Sequence, residues 1–135
     1  MDLEHLIDEA RAVSERAYAP YSGFHVGAAL LAEDGSVHVG CNVENASYGL
    51  TVCAERAAVA SAMARGVRRF RAVAIVTSGD RAVGPCGACR QVLAEFASDM
   101  SVVSEVGGLR KQWTLGELLP SPFEGLPDWP GRQQD

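Results

Sequence analysis

Residues 53–77 read CAERAAVASAMARGVRRFRAVAIVT, and this stretch decides the architecture. Its first half holds Ala54, Ala57, Ala58, Val59, Ala60, Ala62, Met63 and Ala64, dominated by the best helix former, and Gly66 follows as a C-terminal cap. A helix over residues 53–65 that is apolar around so much of its circumference belongs in the interior. Past a basic turn, residues 72–77 form a short continuous apolar run, which reads as a buried strand.

The flanking chain extends this pattern in both directions. Upstream, Leu3, Leu6, Ile7, Ala10, Val13 and Ala17 recur at helical spacing and stop before Pro20, so residues 2–18 read as an amphipathic helix. Two β-prone runs, 24–31 and 37–41, are joined by Glu33-Asp34-Gly35-Ser36 as a hairpin, and residues 42–50 form a polar loop. Downstream, residues 79–85 read as a loop and 87–97 as a helix with Val92, Leu93 and Phe96 on one face. Residues 101–106 read as a strand, Gly107-Gly108 as a turn and 109–113 as a further strand. Thr114 with Glu117 is a capping box opening a short helix that ends at Pro120. The expected fold class is α/β, one sheet packed between helices. Residues 1–120 are expected to form a single domain, with 121–135 an extended tail of that domain.

With 135 residues, 47% hydrophobic and 21% charged, the chain has the size and composition of one foldable domain. Twelve basic against 17 acidic residues leave a formal charge of −5, which offers no global field for nucleic-acid backbones. The run Arg65, Arg68, Arg69 and Arg71 is then a solvated helix end rather than a polynucleotide track. No apolar run nears the ~20 residues of a spanning helix, so no membrane partner is expected. The start Met1-Asp2-Leu3-Glu4 lacks the features of an export signal, and a cytoplasmic location is the expectation.

In that setting four cysteines, Cys41, Cys53, Cys86 and Cys89, read as metal-binding or catalytic rather than as disulfides. In Pro85-Cys86-Gly87-Ala88-Cys89-Arg90-Gln91 the two-residue gap turns both sulfurs to one side of a helix start. A helix N-terminus lowers thiol pKa toward the thiolate a metal requires. Alone, the pair fits a redox site or half of a structural zinc site equally. Cys53 adds a third sulfur at another helix start, and three thiolates leave a fourth coordination position open, as in catalytic zinc sites. Glu55 stands two positions on, able to move protons beside such a metal. A Cys-x-Glu at one helix start and a Pro-Cys-x-x-Cys at another match the zinc-deaminase signature.

At this point the chain resembles the small homotetrameric cytidine deaminases over nearly its whole length. The matching stretches are Tyr18-Ala19-Pro20-Tyr21-Ser22-Gly23-Phe24, Val26-Gly27-Ala28-Ala29-Leu30, Gly40-Cys41-Asn42-Val43-Glu44-Asn45-Ala46-Ser47-Tyr48, Cys53-Ala54-Glu55-Arg56, residues 85–91 and Leu118-Leu119-Pro120. The resemblance implies a three-layer fold with a five-stranded mixed sheet between helices. It implies one zinc per subunit, held by Cys53, Cys86 and Cys89, and water activated there attacking carbon 4 of cytidine or 2′-deoxycytidine while Glu55 shuttles protons. Asn42 and Glu44 would bind the ribose 3′-hydroxyl, Phe24 would pack on the nucleoside, and the Ala54 amide would bind the pyrimidine carbonyl. Arg56 and Arg90 would hydrogen-bond the sulfurs. In a homotetramer, Ala46, Tyr48 and Phe123 would complete a neighbour's pocket.

Other readings stay open from the residues alone. Blasticidin-type deaminases share the zinc motifs but not the Asn42-x-Glu44 pair. In a non-catalytic zinc module Cys41 would be the fourth ligand, although it ends a strand without a partner at ligand spacing. A redox pair would need Cys86 and Cys89 free of metal.

Overall fold

The computed structural model describes residues 2–126. The elements are α1 (Leu3–Ser14), β1 (Val26–Ala32), β2 (Val37–Cys41), a single 3-10 turn at Tyr48–Leu50, α2 (Ala54–Ala64), β3 (Phe70–Thr77), α3 (Gly87–Ala94), β4 (Ser101–Val106), β5 (Leu109–Thr114) and α4 (Leu115–Leu118). The strands make one five-stranded sheet in the order β2-β1-β3-β4-β5. Only β3 and β4 run parallel, so the sheet is mixed as expected.

Strand periodicity builds two cores, one on each face. Ala29, Ala72, Ala74, Val76 and Val103 meet Leu6, Ile7 and Ala10 of α1. The alternate residues Ala28, Leu30, Val73, Ile75 and Val102 meet Ala54, Ala58, Val59 and Ala62 of α2 and Leu93 of α3. A fully buried Leu such as Leu30 or Leu93 contributes about 1.5–3 kcal/mol by leaving water. At Arg71 a bulge places two residues of β3 against one of β1, which turns Phe70 to the α2 side, edge-on to Phe96.

Both helix layers come close to the sheet at glycines. A Cβ on Gly27 would lie 2.0 Å from the Ala10 carbonyl oxygen of α1, and one on Gly40 would lie 2.3 Å from the Ala58 nitrogen of α2. The α1 layer is further tied down by Glu105, which is buried and pairs with both Arg11 and Arg110, while Arg110 also reaches Glu4 at 2.8 Å.

Several boundaries differ from the sequence reading, each for a hydrogen-bonding reason. Helix α1 ends at Ser14 rather than 18 because the Tyr18 N–H donates to the Asn42 carbonyl at 3.0 Å and the Tyr18 carbonyl accepts from Glu44 N at 2.8 Å. Strand β1 starts at Val26 rather than 24 because the backbone of Phe24 bonds to side chains and not to a neighbouring strand. Helix α3 ends at Ala94, and Phe96 and Ala97 both donate to the Leu93 carbonyl in a closing turn. The Gly66 cap and the Thr114–Glu117 capping box are both present. Of the expected tail, residues 127–135 lie outside the described residues.

Candidate metal centre and substrate cleft

The N-termini of α2 and α3 converge, and this convergence builds the site. Cys53 is the N-cap of α2 and Cys86 the N-cap of α3, each in extended conformation and without a side-chain cap bond. Both cysteines therefore stand at the positive ends of two helices with their sulfurs uncommitted to the first-turn amides. Cys89, in the first turn of α3, brings the third sulfur, and the three Sγ atoms lie within 4.8 Å of one another. The Cys53 and Cys86 sulfurs are 4.0 Å apart. Tetrahedral zinc with Zn–S near 2.3 Å requires sulfurs about 3.8 Å apart, so the donor set and spacing fit zinc. Cys41 is not in this cluster; it stands on the edge strand β2 opposite Gly27.

Electrostatics prepare the cluster for a cation. Hydrogen bonding by Cys89, and then by Arg56, holds the Cys53 thiol down to about 5, whereas Cys89, which donates to Cys53, is pushed up. The Arg56 guanidinium lies 3.5 Å from the Cys53 sulfur and 3.4 Å from the Thr51 carbonyl. Arg90 differs from its expected role. It donates to the Pro85 carbonyl at 2.7 Å and the Leu118 carbonyl at 2.9 Å, so it pins the turn that delivers Cys86 rather than a sulfur.

Above the sulfurs opens a cleft of about 300 Å³. Phe24, Asn42, Glu44, Cys53, Ala54, Glu55 and Cys86 all line it. Glu55 is 5% exposed, and burial raises its carboxyl to about 7. Ala54 opens α2, so its N–H lies outside the intrahelical ladder. Ala46, Tyr48 and Phe123 are exposed and do not line this cleft. Tyr48 instead borders an adjoining hollow and meets Tyr21 edge-on, while Phe123 is held by Gln91 through bonds to its backbone N–H and carbonyl.

The polar residues of the cleft also hold it together. The Asn42 side-chain carbonyl accepts from Val26 N, and its amide donates to the Phe24 carbonyl, both at 2.8 Å. Glu44 accepts from Tyr21 N at 3.0 Å, Ser22 N at 3.2 Å and the Ser22 hydroxyl, and that hydroxyl holds its carboxyl below the usual range. Sequence reasoning missed Thr51, Thr77 and Val83 in the lining. Nothing local marks them, because each enters the cleft from a different element.

Residues 1–105 match the family model described as the cytidine and deoxycytidylate deaminase zinc-binding region, and the chain belongs to this family. It is 50% identical over 125 residues to the cytidine deaminase of Sporosarcina psychrophila, covering 91% of this chain and 92% of that protein. The crystal structure of cytidine deaminase from Burkholderia pseudomallei superposes with a TM-score of 0.87 at 50% identity, covering 91% of this chain and 100% of that one. The blasticidin-S deaminase of Bacillus cereus is 33% identical over 107 residues, covering 73% of this chain and 76% of that protein. One zinc ion per chain fits both the family and the three-cysteine cluster.

Proposed function

We propose that this chain hydrolyses the 4-amino group of cytidine and 2′-deoxycytidine, consuming water and releasing ammonia and uridine or 2′-deoxyuridine, in pyrimidine salvage. The observation that carries this reading is a buried carboxyl, Glu55, opening on the same cleft as the convergent sulfurs of Cys53, Cys86 and Cys89. Cys53, Cys86 and Cys89 would hold the zinc, which when bound would supply Lewis-acid polarisation of a water in the cleft.

The chain's own groups do the rest. Glu55 accepts a proton from the attacking water and gives it to ring nitrogen 3, then accepts the remaining hydroxyl proton and passes it to the departing amine. The first-turn N–H of Ala54 binds the pyrimidine carbonyl oxygen. Phe24 covers the pyrimidine, and an aromatic ring stacked on a base contributes about 1–3 kcal/mol. Asn42 and Glu44 take the ribose 3′-hydroxyl. Glu44 has capacity for it, since a carboxylate offers about four acceptor sites and its bonds to Tyr21 and Ser22 use three. Arg56 offsets the thiolate charge at Cys53, and Arg90 supports the loop carrying Cys86.

The working enzyme is a homotetramer in the cytoplasm, with Ala46, Tyr48 and Phe123 completing neighbouring pockets; their exposure on a single chain supports this role. Nucleic acid is not a partner: Arg65 follows the C-terminus of α2, about 16 Å of helix from the cleft. No membrane partner is proposed either, and no helix among the described residues is long and apolar enough to cross one.

The test is loss of cytidine absorbance on adding zinc-replete protein, beside Glu55→Gln with zinc measured in both. Wild-type turnover is expected, with Glu55→Gln keeping its zinc while losing roughly 10²–10⁴-fold in kcat. Turnover of blasticidin S without turnover of cytidine would overturn the substrate assignment.

A further inference from the structure

Phe24 precedes β1, and neither of its backbone polar groups is held by a strand. Its N–H donates to the Ser22 hydroxyl oxygen at 3.0 Å, and its carbonyl accepts from the Asn42 amide at 2.8 Å. The Ser22 hydroxyl in turn donates to Glu44. The direction of this chain is fixed by chemistry: an ionised carboxylate can only accept, so the Ser22 proton points to Glu44 and its lone pairs face the Phe24 N–H. Gly23, at φ +70, makes the tight turn that brings residues 22 and 24 together. On the far side, the Phe24 ring edge rests on Gly79, where even a Cβ would lie only 3.1 Å from Cε1.

We propose that Ser22 is a positioning residue that links the Glu44 carboxylate to the backbone of Phe24, making the sugar-reading group and the ring over the pyrimidine one hydrogen-bonded unit. This rests on the proposed deamination of cytidine and deepens it. Removing the hydroxyl frees the Phe24 N–H and one Glu44 oxygen together, so the ring leaves its seat on Gly79 and nucleoside binding weakens, while the sulfur cluster and Glu55 stay in place.

The experiment is steady-state kinetics on cytidine for Ser22→Ala, Ser22→Thr, Phe24→Ala and the Ser22→Ala/Phe24→Ala double variant, with zinc content and Tm for each. Ser22→Ala is expected to raise KM about three- to tenfold and move kcat less than about twofold, the split expected for lost ground-state binding. Ser22→Thr, which keeps the hydroxyl, restores KM to within about twofold of wild type. In the Phe24→Ala background the Ser22→Ala change raises KM by a smaller factor than in wild type, because the ring it seats is gone and only its bond to Glu44 remains to be lost.

Full additivity of the two changes overturns the proposal, as does an unchanged KM or a kcat loss that tracks lost zinc. Should Ser22→Ala fail to fold, Ser22→Cys carries the test: its weak S–H donor has to raise KM in the same direction, and a wild-type KM overturns the link. A wild-type protein inactive on cytidine overturns the proposed function and this inference together, whereas wild-type turnover with additive variants overturns only the inference.

Discussion

Two glycines on opposite faces of the sheet separate the stability of the fold from the geometry of the site. At Gly40 a Cβ would lie 2.3 Å from the Ala58 nitrogen and 2.7 Å from the Ala54 carbonyl oxygen, both backbone atoms of α2. Tight contact ends near 3.4 Å, so in Gly40→Ala the helix has to retreat by about 1.1 Å. That helix carries Cys53 at its N-cap and Glu55 in its first turn, while Cys86 and Cys89 stay on α3. The expected cost is about 1–3 kcal/mol of stability from overpacking. A displacement of about 1 Å between reacting groups also costs roughly 10²-fold in kcat. Gly27→Ala is the matched control. Its Cβ would lie 2.0 Å from the Ala10 carbonyl oxygen, so α1 has to move about 1.4 Å, yet α1 contributes no residue to the cleft. Urea unfolding, zinc content and cytidine turnover on both variants check the argument. Both should lose similar stability, only Gly40→Ala should lose zinc and kcat, and Gly27→Ala should keep kcat within about twofold. Wild-type stability in Gly40→Ala, or equal loss of kcat in both variants, refutes the reasoning.

Three further outcomes test other parts of the structure. Chelation should expose the thiols of Cys53, Cys86 and Cys89 to a thiol reagent and lower Tm, and zinc at about 100 times its Kd should restore roughly 2.7 kcal/mol; unchanged thiol reactivity would remove the metal from this cluster. Glu105→Gln takes the charge from a buried carboxylate shared by the partly exposed Arg11 and Arg110 and should cost about 1.5–3 kcal/mol in urea unfolding, with turnover unaffected. Among the described residues the fully buried Ser104 hydroxyl has no hydrogen-bond partner, so Ser104→Ala should stabilise the protein by about 1 kcal/mol; a loss of that size would show that the hydroxyl is bonded.

The sulfurs were legible in the sequence because ligand spacing is local. A two-residue gap at a helix start puts Cys86 and Cys89 on one side whatever surrounds them, whereas Cys53 and Glu55, two positions apart, share no helix face and both reach the cleft because they stand at the very start of α2. Strand and helix types were legible for the same reason, since apolar periods of 2 and 3.6 reflect which face is buried. The element ends were not. At Tyr18 and Phe24 the chain leaves its expected element because residues 42–44, some twenty positions away, take up the backbone hydrogen bonds.

Arg56 and Arg90 show where local reasoning stops. Each follows a residue of the site by one position, and the family resemblance gave both the same expected role. Arg56 finds the Cys53 sulfur within its own first helical turn. Arg90 finds the Leu118 carbonyl at the end of α4, an acceptor that exists only because the capping box at Thr114 starts a helix there and folds it beside α3. An arginine commits its donors to the best-placed acceptors in the folded chain. The distant α4 therefore decides that Arg90 supports the loop before Cys86, and Arg90→Lys, which cannot span both carbonyls, should loosen that loop and lower zinc affinity without removing any sulfur contact. Zinc titration against a competing chelator reads this directly, and an unchanged affinity would refute a role for the Arg90 bonds in holding Cys86 in place.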